Sequence, residues 1–409
     1  MKRFIVKKYL FAGLFLTVWL LFSAANFVVG SEQWHGLFED LTQVTSVTEL
    51  QEWIAGVESE VNDELLGNEA FIDTYGYVQV LMGKREFNNF AFIQDNEMLY
   101  YGSTWPLSSS EIEMQEYAKR VRRLNEYVER RGAKLLVVLP PSKILAGVSD
   151  VSRDWPLNDP NARMDQLLTL LYQYGVETID LRVKMRETGL SLDQLFFKTD
   201  HHWTPLAGFY AAQEIVDQVK ERFGDDWDPT GFYTDLSNYN VCTYFDGMLG
   251  SSGRNTGAIY SGVEDYTLLW PDFPTHFIWT YYDSGKVITR EGTFTESLLD
   301  SSRFEITDLY HSSTNSVYLH EITDKDTIVN VNKPNGPKIK VLRDSYFSPT
   351  ACFLAPMCSE IDMMWTRASS DEYDVDEFIR DGVYDYFILE IYPYNLDERA
   401  FDFCQEPEE

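Results

Sequence analysis

An aspartate and a histidine stand two residues apart in the segment Lys198-Thr199-Asp200-His201-His202-Trp203-Thr204. Side chains two apart on an extended backbone point to the same face, so Asp200 and His202 would lie side by side while His201 points away. The carboxylate could orient the imidazole and stabilise its protonated form while the ring removes a proton from a nucleophile. Thr204-Pro205 is typical of a helix start, and a helix N-terminus beside His202 favours the neutral ring that a base needs. A polar cap that satisfies turn amides is the alternative interpretation.

The candidate nucleophile is Ser345, which directly follows the apolar run that begins at Lys338. A serine on a tight turn at the carboxyl end of a buried strand exposes its hydroxyl where α/β enzymes bind ligands. The backbone N–H of Tyr346 would then be an oxyanion donor, and that of Gly247 is a second candidate. On residue types alone, Ser345 could instead cap a helix and Gly247 could simply form a turn.

Three more residues are candidates for substrate binding. Arg254 and Arg343 could supply positive charge near the site, and Trp203 could stack on a sugar ring, although tryptophan more often packs in a core. The run Asp200-His201-His202 contains three ligand types for a metal ion. Adjacent residues rarely converge on one ion, however, and the sequence has no second cluster, so neither a metal nor a cofactor is predicted.

The elements that must position these residues alternate between strand and helix. The apolar run 134–139 predicts a strand buried on both faces, residues 160–175 a helix, 176–181 a strand, and 204–223 a helix. Further buried strands are predicted at 338–345 and 386–391. The segment from about 225 to 335 breaks this rhythm and predicts an insertion of loops and antiparallel strands. The fold class is therefore α/β, with three layers and a mainly parallel sheet.

The N-terminus predicts export. Lys2, Arg3, Lys7 and Lys8 precede an apolar stretch, Tyr9 to Gly30, that is about long enough to cross a bilayer. This charge pattern predicts a single-pass plasma-membrane protein with a cytoplasmic N-terminus and the remaining chain outside. The alternative is a signal peptide cleaved near Ser23-Ala24-Ala25, after which the protein is secreted. Residues 31–88 then form an acidic leading region, helical or irregular, and residues 89–400 the main domain.

The composition excludes one class of partner. The 409-residue chain has a net charge of −31 at pH 7, and such a surface repels phosphate backbones, so nucleic acid is not a predicted partner. Polyanionic wall polymers would be repelled as well, unless a local site overrides the mean field. The four cysteines are scattered, and a disulfide between Cys352 and Cys358 and four free thiols are both open.

The segment 198–204, followed by Ala207-Gly208, resembles the signature of the DHHW protein family, which is similar to the alginate O-acetyltransferase proteins AlgJ and AlgX. The run 92–101 resembles the hairpin that opens those domains, 135–143 their first core strand, and 342–347 the turn of their nucleophile. The resemblance covers about residues 88 to 395. Arg343 stands where the family has glycine before Asp-Ser, which changes the turn.

The resemblance implies an SGNH-hydrolase-like fold with Ser345, His202 and Asp200 as the triad. It also implies O-acetyl transfer onto an exported polysaccharide outside the plasma membrane, with a membrane-bound O-acyltransferase as the partner that supplies the acetyl group. Two alternatives stay open: an acetyl esterase, in which water resolves the acyl-enzyme, and a non-catalytic glycan-binding or assembly protein of the same fold.

Overall fold

The computed structural model describes residues 2–29, 65–88, 90–102, 111–151, 157–283, 285–305, 308–367 and 373–405, with a few isolated positions between 44 and 57. The chain divides into two compact units, 1–76 and 77–409. About half of the predicted leading region 31–88 lies outside the described residues. The domain boundaries at residues 30 and 88 remain predictions.

The first unit contains helix α1 (Lys2–Val29), so the predicted apolar helix is confirmed. Within the described part of the chain, Tyr9–Val29 is long and apolar enough to cross a membrane. A signal sequence meets the same criteria of length and composition, so the anchor and the cleaved peptide both stay open.

The second unit contains all the described strands. They are β1 Glu86–Phe87, β2 Ala91–Ile93, β3 Leu99–Tyr101, β4 Lys134–Leu139, β5 Thr178–Asp180, β6 Tyr239–Met248, β7 Glu264–Pro271, β8 Phe277–Asp283, β9 Lys286–Gly292, β10 Lys325–Asn330, β11 Lys338–Arg343, β12 Glu360–Trp365 and β13 Tyr386–Glu390. The helices after α1 are α2 Asn68–Leu81, α3 Glu111–Arg130, α4 Asn161–Gln173, α5 Leu181–Glu187, α6 Leu192–Leu195, α7 Pro205–Phe223, α8 Ser251–Thr256, α9 Ala258–Ser261, α10 Phe294–Ser297, α11 Phe347–Leu354 and α12 Val375–Arg380.

One large sheet organises this unit. Among the described residues its strand order is β5-β4-β13-β11-β12-β10-β8-β9. The neighbours from β5 to β12 pair in parallel, and β10, β8 and β9 continue the sheet with antiparallel pairing. Because the carboxyl ends of parallel strands meet at one edge, residues that follow β11, β12 and β13 lie close together there.

Helices cover both faces of the sheet. On β4, Leu135 and Val137 pack into one apolar cluster with α3, α4 and α12, while Leu136 and Val138 pack into another with α5, α7 and α11. Burying one such side chain contributes about 1.5–3 kcal/mol, so a one-residue shift in register would be strongly unfavourable. The predicted three-layer α/β fold with a mainly parallel sheet is confirmed.

The segment 225–335 differs from a simple insertion. Strands β6 and β7 form a separate antiparallel pair, as expected of an added element. Strands β8, β9 and β10, however, extend the main sheet. The turn between β10 and the preceding residues therefore lies at the same edge of the sheet as the carboxyl ends of β11 and β12.

The cysteines are free in the structure, and Cys352 and Cys358 are both buried.

Candidate active site

The Asp200–His202 segment is held between a short bridge and a helix. Phe196 and Trp203 form an isolated antiparallel bridge that closes the loop around it. Thr204 is the N-cap of α7, where its Oγ1 accepts from the Ala207 N–H at 3.3 Å, and Pro205 occupies the first turn. This is the helix start that the Thr-Pro pair predicts. It fixes the direction in which the chain leaves His202.

Ser345 lies opposite His202. It stands on the turn between β11 and α11, at the carboxyl edge of the sheet. His202 Nε2 is 2.7 Å from Ser345 Oγ, and His202 Nδ1 is 2.6 Å from Asp200 Oδ1. Serine, imidazole and carboxylate thus form one hydrogen-bonded chain in the order that nucleophilic catalysis requires.

The surroundings of Asp200 and His202 set the charge state of each. Burial alone would raise the pKa of Asp200, but the neighbouring imidazoles and the hydrogen bonds from His202 and the Ser251 N–H hold it well below its usual range. Burial would lower the pKa of His202, but the charge and hydrogen bond of Asp200 outweigh it and raise that pKa above 6.5. The ionised carboxylate therefore stabilises the imidazolium that forms when His202 accepts a proton.

Gly250 is a site residue that the sequence analysis missed. A Cβ at this position would lie 2.4 Å from Asp200 Cβ and 2.6 Å from Thr199 O. Its N–H donates to Thr199 Oγ1 at 2.8 Å, and the next N–H, that of Ser251, donates to Asp200 Oδ2 at 2.7 Å. The signal was Gly250 followed by Ser251-Ser252, which is typical of a helix start. Nothing local indicated which loop this start would touch.

Two charged groups hold the backbone before Asp200. The partly buried Glu264 accepts from the backbone N–H groups of Lys198 and Thr199, each at 2.7 Å. The buried Lys143 ammonium donates to Leu99 O at 2.9 Å and to Lys198 O at 3.1 Å, and burial lowers its pKa to about 8. Backbone groups before Asp200 are therefore tied to β7 and to the segment that follows β4, which limits the movement of the carboxylate.

Asp344 organises the turn that carries Ser345. Its carboxylate accepts from Tyr346 N at 3.0 Å, Tyr392 N at 2.6 Å and Asn395 Nδ2 at 2.9 Å. Its own N–H donates to Glu390 Oε2 at 3.0 Å. Burial, reinforced by the charge of Asp344, raises the pKa of Glu390 well above its usual range, which favours its protonated form.

The oxyanion candidates differ in position. The Tyr346 N–H is next to Ser345 as expected, but it already donates to Asp344 Oδ1, so an oxyanion would have to share that hydrogen. Gly247 lies in β6, where its carbonyl accepts from Thr314 Oγ1 at 2.8 Å. Its role as an oxyanion donor remains a prediction.

The structure corrects two of the three substrate-binding candidates. Trp203 is buried, and its Nε1 donates to Tyr346 O at 2.9 Å, so it joins the start of α7 to the nucleophile turn and offers no face to a sugar. Arg343 is fully buried in an ion pair with Asp326 at 2.9 Å, because a strand residue that points into the core needs a charged partner. Arg254 is partly buried and donates to Ser312 O at 3.0 Å.

His201 takes no place in the chain of hydrogen bonds. Its ring centroid is 3.9 Å from that of His202 and 5.8 Å from that of Tyr392. Burial, with the neighbouring His202, lowers its pKa to about 3, so the ring is neutral. Ligand atoms of Asp200, His201 and His202 lie within 4.8 Å of one another, as in a metal site. Asp200 Oδ1 and both nitrogens of His202 are, however, already engaged in the contacts with each other and with Ser345.

Glu321 is a second site residue that the sequence analysis missed. Its Oε1 lies 3.7 Å from His202 Nε2, on the side of the ring that faces Ser345. It ends a run of three non-glycine residues with positive φ, Leu319 at 49°, His320 at 54° and Glu321 at 69°. Such a conformation costs on the order of 1–3 kcal/mol per residue, and it recurs at functional sites. An isolated carboxylate in a loop gave no indication of this contact.

The fold can be compared with solved structures. A DHHW family protein from Eubacterium siraeum aligns with a TM-score of 0.55 at 18% identity, over 77% of this chain and 95% of that one. Bacillus cereus PatB1 with a sulfonyl adduct aligns with a TM-score of 0.61 at 16% identity, over 77% of this chain and 97% of that one. The second unit therefore has the SGNH-hydrolase-like α/β fold.

Sequence similarity points to the same group. Residues 96–238 match the family described as SGNH hydrolase-like domain, acetyltransferase AlgX. A probable alginate O-acetylase AlgJ of Pseudomonas putida is 26% identical over 133 residues, which is 32% of this chain and 34% of that protein. The matched region thus spans about a third of the length of this curated relative. The resemblance to DHHW, AlgJ and AlgX proteins expected from the motif at 198–204 is confirmed.

Proposed function

We propose that this protein is an extracytoplasmic O-acetyltransferase that acetylates an exported polysaccharide through an acyl-enzyme on Ser345. The observation that carries the proposal is the hydrogen-bonded chain from Ser345 through His202 to Asp200. The similarity to probable alginate O-acetylases supports acetyl transfer as the reaction.

The first half of the reaction forms the acyl-enzyme. Ser345 Oγ attacks the acetyl carbonyl carbon while His202 Nε2 takes the hydroxyl proton. Asp200 holds His202 through Nδ1 and stabilises the positive charge that develops on the ring. The Tyr346 N–H, shared with Asp344, is the proposed donor to the oxyanion. His202 then returns its proton to the leaving group as the bond between that group and the acetyl carbon breaks.

The second half reverses these steps. A sugar hydroxyl attacks the acetyl carbon of acetyl-Ser345, and its proton passes to His202 Nε2. The ester bond to Ser345 Oγ breaks, and the proton on His202 returns to that oxygen. Water can take the place of the sugar, and the same triad then acts as an esterase, because the triad serves either acceptor.

The proposal includes a place in the cell envelope. Helix α1 would anchor the protein in the plasma membrane with its N-terminus in the cytoplasm, or would be removed on secretion. A membrane-bound O-acyltransferase would supply the acetyl group. Because the net charge of −31 opposes a polyanion, we propose a neutral or weakly charged glycan as the acceptor.

Product analysis tests this function. The protein is incubated with p-nitrophenyl acetate and either cello-oligosaccharides or alginate oligosaccharides, and O-acetylated sugar and free acetate are quantified. We expect acetylated sugar with the wild-type protein and neither turnover nor product with Ser345→Ala. Release of acetate without acetylated sugar would indicate an esterase. No turnover with any acceptor would favour a glycan-binding protein.

A further inference from the structure

Glu321 carries a contact that the triad mechanism does not use. The Asp200 carboxylate already serves His202 at Nδ1, at 2.6 Å. A second carboxylate, that of Glu321, approaches the opposite nitrogen, Nε2, at 3.7 Å. This nitrogen is the one that exchanges protons with Ser345. Glu321 therefore borders the space in which an attacking hydroxyl must lie.

Hydrogen bonds hold the Glu321 carboxylate in place. Its Oε2 accepts from Ser316 Oγ at 2.8 Å and from Ser313 Oγ at 3.2 Å, which leaves Oε1 directed toward His202. Its carbonyl accepts from the buried Arg343 at 3.3 Å. The backbone holds the left-handed conformation through three consecutive residues. A strained backbone that is held by contacts on both sides is typical of a functional site.

The turn that carries Glu321 also contributes to a cavity, through the preceding residue His320. The cavity has a volume of about 440 Å³, and Tyr281, Tyr282, Trp365 and Arg303 also contribute to its lining. Aromatic rings beside charged groups are suited to a sugar, which presents apolar C–H faces and a rim of hydroxyls. Neighbouring residues of one turn thus line the cavity, at His320, and contact His202, at Glu321.

The chemistry of the second half-reaction defines what Glu321 can bind. In the acyl-enzyme, Ser345 Oγ carries the acetyl group, so Nε2 is available to accept from the attacking hydroxyl. An acceptor bound there would bring its neighbouring hydroxyl toward Glu321 Oε1. An ionised carboxylate accepts such a hydrogen bond strongly. A simple alcohol such as methanol has no second hydroxyl to donate.

We propose that Glu321 is a specificity-determining residue that binds the hydroxyl adjacent to the attacking one, so that the acyl-enzyme is resolved by a sugar diol in preference to a simple alcohol. This inference rests on the proposed function, because it concerns the fate of acetyl-Ser345. It identifies the acceptor class as a polyol with neighbouring hydroxyls, lying toward the cavity beside His320.

The test measures how the acyl-enzyme partitions. Wild-type protein, Glu321→Gln and Glu321→Ala are acylated with p-nitrophenyl acetate in the presence of cellobiose or methanol, and acetyl sugar, methyl acetate and acetate are quantified. Glu321→Gln keeps the size of the side chain. Glutamine also has a Cβ, as glutamate does, so the strain of the left-handed backbone is unchanged. Glu305→Gln is the matched control, since Glu305 is exposed nearby in the chain and its replacement also removes one negative charge.

We expect the yield of acetyl cellobiose, relative to the yield of methyl acetate in the parallel reaction with methanol, to fall about tenfold or more in both Glu321 variants, as loss of a charged hydrogen bond implies. Glu305→Gln should keep this ratio within about twofold of the wild type. An unchanged ratio in the Glu321 variants would overturn the inference while leaving the acyl-enzyme intact. Absence of any acyl-enzyme in the wild type would instead refute the proposed function.

Discussion

Replacement of Gly250 by alanine probes how tightly the candidate triad is positioned. The backbone of Gly250, with φ −70° and ψ 175°, permits alanine, so only space opposes the change. The added Cβ would meet Asp200 Cβ at 2.4 Å, Thr199 O at 2.6 Å and Asp200 Cα at 2.7 Å. Ordinary contacts begin at 3.4 Å, so the two segments must separate by about 1 Å. None of the three atoms belongs to the end of a flexible side chain.

The consequence follows from what these segments hold. Separation would stretch the bond from the Ser251 N–H to Asp200 and shift His202 relative to Ser345. A misplacement of about 1 Å costs on the order of 100-fold in rate. Overpacking of this kind also costs about 1–3 kcal/mol of unfolding free energy. We therefore expect Gly250→Ala to remain folded but to acylate about 100-fold more slowly.

The assay is the burst of p-nitrophenol that accompanies acylation by p-nitrophenyl acetate, with thermal unfolding measured in parallel. Gly336→Ala is the matched control. Its Cβ would meet Ser359 N at 2.8 Å, also closer than an ordinary contact, but Gly336 precedes β11 at the end of the strand opposite Ser345. The control should lose stability and keep its acylation rate. A Gly250→Ala protein that acylates within about threefold of the wild type would refute the reasoning.

Two further predictions concern protonation and support. The pKa of His202 is raised above 6.5, and His202 must be neutral to act as a base. The acylation rate should therefore fall as the pH drops through a midpoint above 6.5. Burst rates measured between about pH 5 and pH 9 test this, and a midpoint below 6.5 would contradict it. Asp344→Asn should cost about 1–3 kcal/mol of unfolding free energy, because the amide has one acceptor oxygen for the N–H groups that the carboxylate binds. Glu390→Gln should cost less than about 1 kcal/mol, since the raised pKa favours the neutral form of Glu390, and a larger loss in Glu390→Gln than in Asp344→Asn on urea unfolding would contradict this.

Local patterns predicted the elements that depend on local chemistry. The Thr204-Pro205 pair predicted the start of α7, and the apolar run 134–139 predicted a strand buried on both faces. Each of these follows from periodicity or capping within a few residues, which is why the sequence is sufficient for them.

The catalytic candidates were found by a different route. Residue types left open that Asp200 and Ser345 are only capping residues, and the resemblance of the segments 198–204 and 342–347 to one family brought them together. In the structure, His202 Nδ1 is 2.6 Å from Asp200 Oδ1, and His202 Nε2 is 2.7 Å from Ser345 Oγ. Ser345 is separated from His202 by 143 residues, and no local pattern encodes a contact of that range.

The residues that were missed or misassigned depend on long-range packing. Gly250 matters only because Asp200 packs against it, and Glu321 only because its turn reaches the edge of the sheet beside His202. Arg343 was a candidate to supply positive charge near the site, but it pairs with Asp326 of β10, a strand that lies in the predicted insertion. Trp203 was a candidate to stack on a sugar ring, but it is hydrogen-bonded to Tyr346 O. In each case the partner lies in a distant segment.

The central claim is that Ser345 is the nucleophile activated by His202 and Asp200. Peptide mapping by mass spectrometry after brief incubation with p-nitrophenyl acetate tests it most directly, with wild-type, Ser345→Ala and His202→Gln proteins. The account predicts one acetyl group on the peptide containing Ser345 in the wild type, none in Ser345→Ala, and strongly slowed labelling in His202→Gln. Labelling at another residue, or equal labelling of Ser345 in His202→Gln, would contradict it.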